Sequence, residues 1–394
     1  MHKDVPTDIF TYASDIRTPQ PDEITDLDWD SPDFETLQNM TENVYQFAAA
    51  KNYHELRDLT DALRDGERIR SFEEFEQITK PIIGKYNQNW LRTEYNQAVA
   101  SAQAGSHWNN FKRHQKEMPF LRYQCVMDGN TRPDHADLDG TIKRIDDDFW
   151  TKYMPPNGWG CRCEAVQLPG SDYEETPNEQ IKYPTVPEMF QVNFGKQSVA
   201  FPQGHAYFKQ LPRDFKREAK EMAREEVRRV IANAKQHKTL KNNPDYTDVE
   251  FDLRSGGVKA THKDHNFHKV GGIFEREVLN AGYKDGNSVI LCNEKSHVIG
   301  QRFTEGLWNG KQFEVAGKQQ SREIDYLKAL KHCASKHTTK IAVIDLPNGG
   351  FDESILRKAM NRYNGLEKLH DGQYVAFERI IIVQNEKIVF ECSL

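Results

Sequence analysis

The chain has 394 residues and a mass of 45.7 kDa, which predicts two or three domains rather than one. Its 29% of charged residues and mean hydropathy of −0.81 make it polar, but 11% aromatic residues can anchor cores and exclude a disordered chain. Apolar runs such as 380–383 are far shorter than the ~20 residues of a membrane span, and no signal-peptide pattern opens the chain, so we expect neither a membrane protein nor a Sec-secreted enzyme.

The chain opens with an acidic stretch. Residues 1–35 hold ten acidic side chains against Lys3 and Arg17, with four prolines among them. Such a composition is typical of a flexible arm, which we predict for residues 1–34. The arm serves either solubility or docking to a partner on which it becomes ordered.

Helical periodicity begins directly after this arm. Apolar side chains recur every three or four residues as far as about Ala104, which predicts a series of amphipathic helices. The runs that carry this pattern are Leu37–Phe47, Leu56–Leu63, Phe72–Ile78 and, after Pro81, Ile83–Ala98.

Residues 105–170 change character, because glycine, proline and aspartate become frequent and the periodicity is lost. We predict a compact, loop-rich segment, which contains Cys125, His135, Cys161 and Cys163. Thiolate and imidazole are zinc ligands, and a segment without a core of its own gains stability from such a staple. The spacings C-x₉-H and C-x-C are equally compatible with buried thiols beside a hydrogen-bonded histidine, and both interpretations stay open.

A connector follows. Residues 171–205 are interrupted by prolines and are predicted to be mostly extended, and Pro212 opens a long helix that reaches about His237. Residues 209–241 hold eleven basic and five acidic side chains with few large apolar ones. We therefore predict a basic connector helix over 209–248, exposed to solvent or lying on nucleic acid or a capsid surface.

From residue 249 onward, helical and strand patterns alternate, which predicts a separate α+β domain over 249–394 and an α+β class for the whole chain. Asn309-Gly310 predicts the turn of a hairpin over 307–315, and a second hairpin turns around Asn385. The other predicted strands are 250–253, 288–292 and 340–345, and the predicted helices are 271–281, 324–335 and 353–363.

Three motifs surround the Cys/His residues: LRTEYNQAVASAQ (91–103), D-G-x-x-R-x-x-H-x-x-L-D-G (128–140) and PPNGWGCRC (155–163). With VPEMFQVNFGKQSVAFPQGHAYF (186–208), they resemble the Mu F-like minor head proteins of the phage head-morphogenesis family over residues 35–208. The resemblance implies a module present in a few copies per virion, near the portal or inner head surface, that helps assembly or DNA packaging. It also implies that Cys125, His135, Cys161 and Cys163 are metal ligands, with Asp128 at the position of a second cysteine in some members.

The C-terminal segment carries a second resemblance. GGVKATHKDHNFHK (256–269) spaces His262, His265 and His268 three residues apart, and RFTEGLWNGKQFEVAGK (302–318) follows. By the order of its elements, this segment resembles the nuclease domains of contact-dependent inhibition toxins, which are tRNases related to the barnase–EndoU–colicin–RelE group. Such domains also occur fused behind Mu F-like head proteins.

Two mechanisms stay open for such a nuclease. Cleavage of RNA without a metal needs a base, an acid and cations near the phosphate, which the three histidines, Arg302 and Lys318 could supply, with Glu314 orienting a histidine. A metal-dependent nuclease would instead use the carboxylates Glu305 and Glu314 with Lys318. Ala316 occupies the expected lysine position of a Glu-x-Lys motif, so an inactive binding domain is a third interpretation.

These observations predict a minor head protein of a phage or prophage, found in the virion and, during assembly, in the host cytoplasm. Its expected partners are the portal, other head proteins and, for an RNase domain, tRNA. Phage DNA and an immunity protein are further candidate partners. Structural zinc is the candidate cofactor, and a metal-free RNase would need none. The alternatives are the same head protein with a binding domain, a free toxin, and a metal-dependent DNase. No membrane partner is expected.

Overall fold

The computed structural model contains 48% helical and 18% strand residues, so the mixed α+β composition is confirmed. The chain divides into two compact units, with the boundary between Val227 and Arg228. In the described part of the chain, no helix combines the length and apolar character that crossing a membrane requires. The predicted arm lies outside the described residues except for 31–34, and Arg302 lies outside them as well. The structure describes residues 31–66, 68–86, 91–170, 173–269, 271–293, 304–369 and 375–394.

Among the described residues, the first unit begins with the helices α1 (Pro32–Ala62), α2 (Phe72–Gly84) and α3 (Leu91–Arg113). Ser31 caps α1, and Ser71 forms a capping box with Glu74 at the start of α2. Between α1 and α2, the short strands β1 (Arg64–Asp65) and β2 (Arg68–Ile69) pair antiparallel. The predicted helices are confirmed, but α2 continues through Pro81, and α3 ends well beyond Ala104.

A three-stranded antiparallel sheet follows in the segment that we predicted to be loop-rich. It has the order β4–β3–β5, and its strands are too short, at three to five residues, to produce a visible alternation in the sequence. Aromatic side chains of α3, the sheet and its loops form one core. The elements are β3 (Phe120–Gln124), α4 (Pro133–Ala136), β4 (Ile142–Arg144), α5 (Phe149–Lys152) and β5 (Glu164–Leu168).

The segment 186–208 packs back on α1 and includes the short helices α6 (Phe194–Gln197) and α7 (Ala206–Lys209). The ring of Phe201 stacks on that of Phe47, with 3.7 Å between the centroids. The side chain of Asn43 bonds the backbone of residues 200 and 201 at 2.7–3.0 Å. This segment is therefore part of the core of the first unit.

The long helix α8 (Arg213–Lys241) passes from one unit into the other. Our prediction that it is exposed to solvent is wrong for one face along the length of the helix, because Ala223, Val230 and Leu240 are buried. The side-chain amide of Asn233 also donates to the carbonyl oxygens of Gly256 (2.8 Å) and Gly286 (3.2 Å). Alanine and valine form this buried face, and a search for large apolar side chains does not detect them.

The second unit is built on one eight-stranded mixed sheet of order β13-β12-β11-β10-β9-β8-β7-β6. The pairs β7–β8, β10–β11 and β11–β12 are parallel, and the remaining pairs are antiparallel. The strands are β6 (Tyr246–Phe251), β7 (Val258–His262), β8 (Ser288–Leu291), β9 (Gly306–Trp308), β10 (Lys311–Gly317), β11 (Ile341–Asp345), β12 (Arg379–Gln384) and β13 (Lys387–Ser393).

Helices α9 (Gly272–Lys284), α10 (Glu323–Ala334) and α11 (Glu353–Leu369) connect the three parallel pairs. Helix α9 packs on one sheet face, and α10 and α11 pack on the other. Both predicted hairpins are confirmed, and their turn residues adopt positive φ angles, as in Asn309 (48°) and Gly310 (79°). Strand β7 was not predicted, because we interpreted its residues as part of a histidine-rich loop.

Candidate functional site

The four predicted ligands of the first unit lie close together. Nδ1 of His135 is 3.5 Å from Sγ of Cys161 and 3.5 Å from Sγ of Cys163. These three ligand atoms lie within 4.8 Å of one another, a group that does not include Cys125. Sγ of Cys125 is 3.4 Å from Sγ of Cys163 and donates to the carbonyl oxygen of His135 (3.2 Å). The set is therefore three mutually close donors and a fourth thiol at their edge.

The PPNGWGCRC motif builds the wall of this Cys/His cluster. The buried side chain of Asn157 accepts a hydrogen bond from the hydroxyl of Tyr123 (2.9 Å) and donates to the carbonyl oxygen of Met154 (3.2 Å). A Cβ at Gly158 would lie 3.0 Å from the Arg132 guanidinium and 3.8 Å from Nε2 of His135. The motif residues thus serve to hold the loop tightly against His135.

The upstream D-G-x-x-R motif closes the other side. Asp128 forms a two-pronged ion pair with Arg162, which lies between the two cysteines of C-x-C (2.6 and 2.7 Å). Arg162 holds the pKa of Asp128 well below its usual range. The Asp128 carboxylate is therefore turned to Arg162 and is not part of the metal-ligand group.

Two thiols of this cluster, Cys125 and Cys161, have a higher pKa than free cysteine. The hydrogen bond with Cys163, together with burial, raises the pKa of Cys161 to about 12. Burial raises the pKa of Cys125 as well. Such thiols become thiolates only where a positive charge compensates them.

A second cluster lies in the second unit, at the edge where the parallel strands β7 and β8 end. The loop after β7 carries His265 and Lys269, and α9 carries Glu275. The antiparallel strand β9 begins at the same edge, directly after Glu305. The ligand atoms of His265, Glu275 and Glu305 lie within 4.8 Å of one another.

Glu314 lies beside this cluster on β10. Its Oε2 accepts a hydrogen bond from the backbone N–H of Glu305 (3.2 Å). Its Oε1 lies 3.4 Å from Nε2 of His332 and 3.6 Å from Nζ of Lys336. Glu314 thus fixes the backbone that presents Glu305 and connects the cluster to α10.

The electrostatics of Glu305 follow from this crowding. Burial, together with the charges of Glu314 and Glu275, raises its pKa to about 7, while the bond from Lys269 acts in the opposite direction. A carboxyl group with such a pKa exchanges protons near neutral pH, which is a property of acid–base groups and of crowded carboxylate sites.

The structure brings together three of the predicted catalytic residues, His265, Glu305 and Glu314. His262 instead packs its ring against Tyr246 and accepts a hydrogen bond from the backbone of Asp264 (3.1 Å). His268 is exposed, and no ion pair of the described residues links Lys318 to Glu305 or Glu314. The sequence reasoning missed four residues of this region: Lys269, Glu275, His332 and Lys336. Lys269 is the last residue of the histidine segment, and Glu275 lies six residues beyond it.

Comparison with known proteins finds matches for the part of the chain that contains the Cys/His cluster. Residues 55–166 match the family described as Phage Mu protein F like protein. This segment is similar to the Mu F family. The family match ends at residue 166, within β5, and does not include the segment 186–208.

Two relatives support the same region. The chain is 36% identical over 85 residues to the Putative capsid assembly protein F of Escherichia phage Mu, which is 22% of this chain and 19% of the relative. It is 48% identical over 52 residues to the Mu-like prophage FluMu F protein of Haemophilus influenzae, which is 13% of each chain. The chain thus matches less than a fifth of the length of either relative. No solved structure matches the chain.

Proposed function

We propose that this protein acts in the assembly of a phage or prophage head, where it is a minor component of the virion. The observation that carries the proposal is the Mu F-like segment, whose most characteristic residues fold around one Cys/His cluster. The name of the phage Mu relative refers to capsid assembly. The portal and other head proteins are the proposed partners, during assembly in the host cytoplasm and then in the particle.

The test is to delete the gene in an inducible prophage and to examine the particles. We expect fewer filled heads, and in the wild type a few copies of this chain in purified particles by quantitative mass spectrometry. Complementation with the wild-type chain should restore filled heads. Normal titres without the chain, or its absence from purified particles, would contradict the proposal.

The Cys/His cluster fits a structural Zn²⁺ ion. Around a tetrahedral zinc with Zn–S of about 2.3 Å and Zn–N of about 2.0 Å, neighbouring donor atoms lie roughly 3.5–3.8 Å apart. The S–N separations of 3.5 Å and the S–S separation of 3.4 Å are close to these values. His135, Cys161 and Cys163 would hold the ion with Cys125 as the fourth donor, and the ion would stabilise the thiolates. Protein purified without chelators should contain one zinc per chain by elemental analysis.

A second proposed activity, nucleic-acid cleavage, concerns the second unit. It is favoured by one arrangement: Glu305 and Glu314, both predicted as nuclease carboxylates, are joined by a hydrogen bond from the backbone N–H of Glu305, and the Glu305 carboxylate pairs with a lysine. That lysine is Lys269 rather than Lys318. Carboxylates beside a lysine suit a metal-assisted hydrolysis of a phosphodiester better than a metal-free RNase, since two of the three candidate histidines lie elsewhere. Its substrate would be tRNA or phage DNA, and a toxin of this kind would have an immunity protein.

The full chain should therefore be incubated with total tRNA and with linear DNA, with Mg²⁺ or Mn²⁺ and with EDTA. We expect cleavage that EDTA abolishes and that Glu305→Gln reduces at least ~100-fold. Glu353→Gln, at an exposed position of α11, is the matched control. Cleavage that persists in EDTA would favour a metal-free histidine mechanism. No cleavage of either substrate would contradict the nuclease proposal and favour an inactive binding domain.

A further inference from the structure

The hydrogen bonds of His265 determine which ring nitrogen carries a proton. Its Nδ1 lies 2.9 Å from the backbone carbonyl oxygen of Cys292. A carbonyl oxygen only accepts, so Nδ1 must be the donor, and in the neutral ring Nε2 then presents a lone pair. Because the side chain is fully buried, water cannot take up this lone pair.

Nε2 faces another acceptor. Oε2 of Glu275 lies 2.9 Å away, and Glu275 is itself only 2% exposed. A neutral imidazole nitrogen and a carboxylate oxygen repel each other at this distance, so the contact requires a proton or a cation between the two atoms. A proton can be carried by His265 or by Glu275, whereas a metal cation would be bound by both atoms.

The surrounding side chains already arrange themselves around a cation. Nζ of Lys269 lies 2.9 Å from Oε1 of Glu275 and 2.8 Å from Oε2 of Glu305, so its ammonium group bridges the two carboxylates. The lysine side chain is 30% exposed, so it has a path by which to leave. An ammonium group between two buried carboxylates satisfies the same charges that a metal ion would.

We propose that His265, Glu275 and Glu305 form a binding site for a divalent transition-metal ion, for which the ammonium group of Lys269 is an internal competitor. Nε2 of His265 and one oxygen of each carboxylate are the ligands. The carbonyl of Cys292 fixes the ring by its bond to Nδ1, which is the usual outer-shell partner of a metal-bound histidine.

The donor set selects the kind of metal. One imidazole and two carboxylates suit Mn²⁺, Fe²⁺ or Zn²⁺ better than Mg²⁺ or Ca²⁺, which prefer oxygen ligands alone. With metal–ligand distances of about 2.1 Å, adjacent ligand atoms lie roughly 3.0–3.4 Å apart. The 2.9 Å between Nε2 and Oε2 is near the short end of this range. Mn²⁺ is a selective probe, since thiolate-rich sites such as the Cys/His cluster prefer softer ions.

The proposed metal site shares Glu305 and His265 with the proposed nuclease, but metal binding is measured without any substrate. If Mn²⁺ binds and no nucleic acid is cut, the nuclease proposal fails and the metal site remains. If cleavage occurs in EDTA and Mn²⁺ does not bind, the metal site fails and a nuclease remains.

The experiment titrates the full-length chain with Mn²⁺ and follows free Mn²⁺ by electron paramagnetic resonance. We expect one site per chain in the wild type and an affinity at least ~10-fold higher in Lys269→Met, because the competing cation is gone. His265→Gln and Glu275→Gln should each weaken binding ~10-fold or more. Lys263→Met, an exposed lysine of the same loop that pairs with Asp245, should bind as the wild type does.

Circular dichroism and thermal unfolding establish that each variant is folded. A wild-type chain and a folded Lys269→Met chain that both fail to bind Mn²⁺ at millimolar concentration would overturn the proposal, because the cluster would then be a closed ion network. Unchanged affinity in folded His265→Gln and Glu275→Gln would overturn it as well. If Lys269→Met does not fold, the Mn²⁺ affinity of the wild type is compared with that of His265→Gln and Glu275→Gln, and this comparison tests the proposal.

Discussion

The two units carry clusters of ionisable side chains that differ in chemistry and in construction. The Cys/His cluster of the first unit uses soft sulfur donors from a short loop motif, next to a small sheet of three- to five-residue strands. The cluster of the second unit uses carboxylates, a histidine and a lysine from a loop, a helix and the start of a strand. The first depends on local backbone geometry, and the second depends on strands that meet at one edge of a large sheet.

This difference explains which cluster sequence comparison can detect. A loop motif keeps its spacing, so D-G-x-x-R-x-x-H and PPNGWGCRC are visible as strings, and the Mu F-like match covers them. Glu305 is separated from His265 and Glu275 by β8 and at least part of α9. It is brought to them by the pairing of β8 with β7 and β9, and no short string encodes this proximity.

Replacement of a cluster cysteine should have the largest effect. Cys161→Ser or Cys163→Ser should lose zinc and destabilise the first unit by at least ~3 kcal/mol, because zinc binding contributes directly to folding. Hydrogen exchange read by mass spectrometry should show faster exchange in 120–168 and little change beyond residue 228.

The matched control is Cys392→Ala, a thiol on β13 far from both clusters in sequence. It should retain zinc. Full zinc content and unchanged exchange in Cys163→Ser would mean that the thiols are ordinary buried side chains.

Gly306→Ala should break the second unit at the start of β9. A Cβ at this position would lie 1.9 Å from the carbonyl oxygen of Ile290 and 2.9 Å from the ring of Phe313. Since a backbone atom cannot move aside as a side chain does, we expect the free energy of unfolding to fall by about 3 kcal/mol or more. Urea unfolding monitored by circular dichroism measures it.

Gly365 provides the comparison within the same unit. It lies inside α11 with open space around its Cβ position, so Gly365→Ala should stabilise by about 0.5–1 kcal/mol. Equal effects of the two substitutions would contradict the packing argument.

The second unit should lose stability as the pH rises. Burial raises the pKa of Asp345 to about 8, and the neighbouring carboxylate of Glu277 adds to the shift. The folded state therefore holds a proton that the unfolded chain releases near pH 4, and stability falls between about pH 4 and 8. Asp345→Asn should remove this dependence and stabilise the unit by ~2 kcal/mol at pH 8.5, with little effect at pH 4.5. A wild type whose second unit is equally stable at both pH values would contradict this.

The first unit should show the opposite, smaller dependence. Burial lowers the pKa of His205 to about 4, and the charge of His54 adds to the shift. The folded state holds the ring neutral, so stability is lost as the pH falls from about 6.5 toward 4. Its Nδ1 accepts the backbone N–H of Tyr207, and His205→Asn can keep this bond while it removes about 1 kcal/mol of the acid sensitivity. Hydrogen exchange measured at pH 5 and pH 7 reports the stability of each unit separately and so tests this prediction.

The sequence predicts most helices and both hairpins, because amphipathic spacing and an Asn-Gly turn are local signals. It does not predict β7, since histidines and lysines at its end hide a largely buried strand that lies next to the edge strand β6. It also overestimates the core of the first unit, because Leu56 and Phe72 have the right spacing but are 55% and 73% exposed.

The sites show the same limit. The four Cys/His residues follow from residue type alone, whereas Lys269 and Glu275 could be selected only once the neighbours of His265 were known. Lys318 has the right residue type, but it lies four residues beyond Glu314 on β10, next to the backbone of Asp345.

The strand order of the second unit has a consequence for how the chain is made. Every strand of the sheet pairs with the strands before and after it in the chain, from β6 to β13. No strand has to be inserted between two strands that have already paired, and the loops to be closed are short. The sheet can therefore grow strand by strand as the polypeptide leaves the ribosome, with each new strand added at the same edge. Synthesis that stops early would leave a narrower sheet with the correct neighbours, rather than a sheet with a gap.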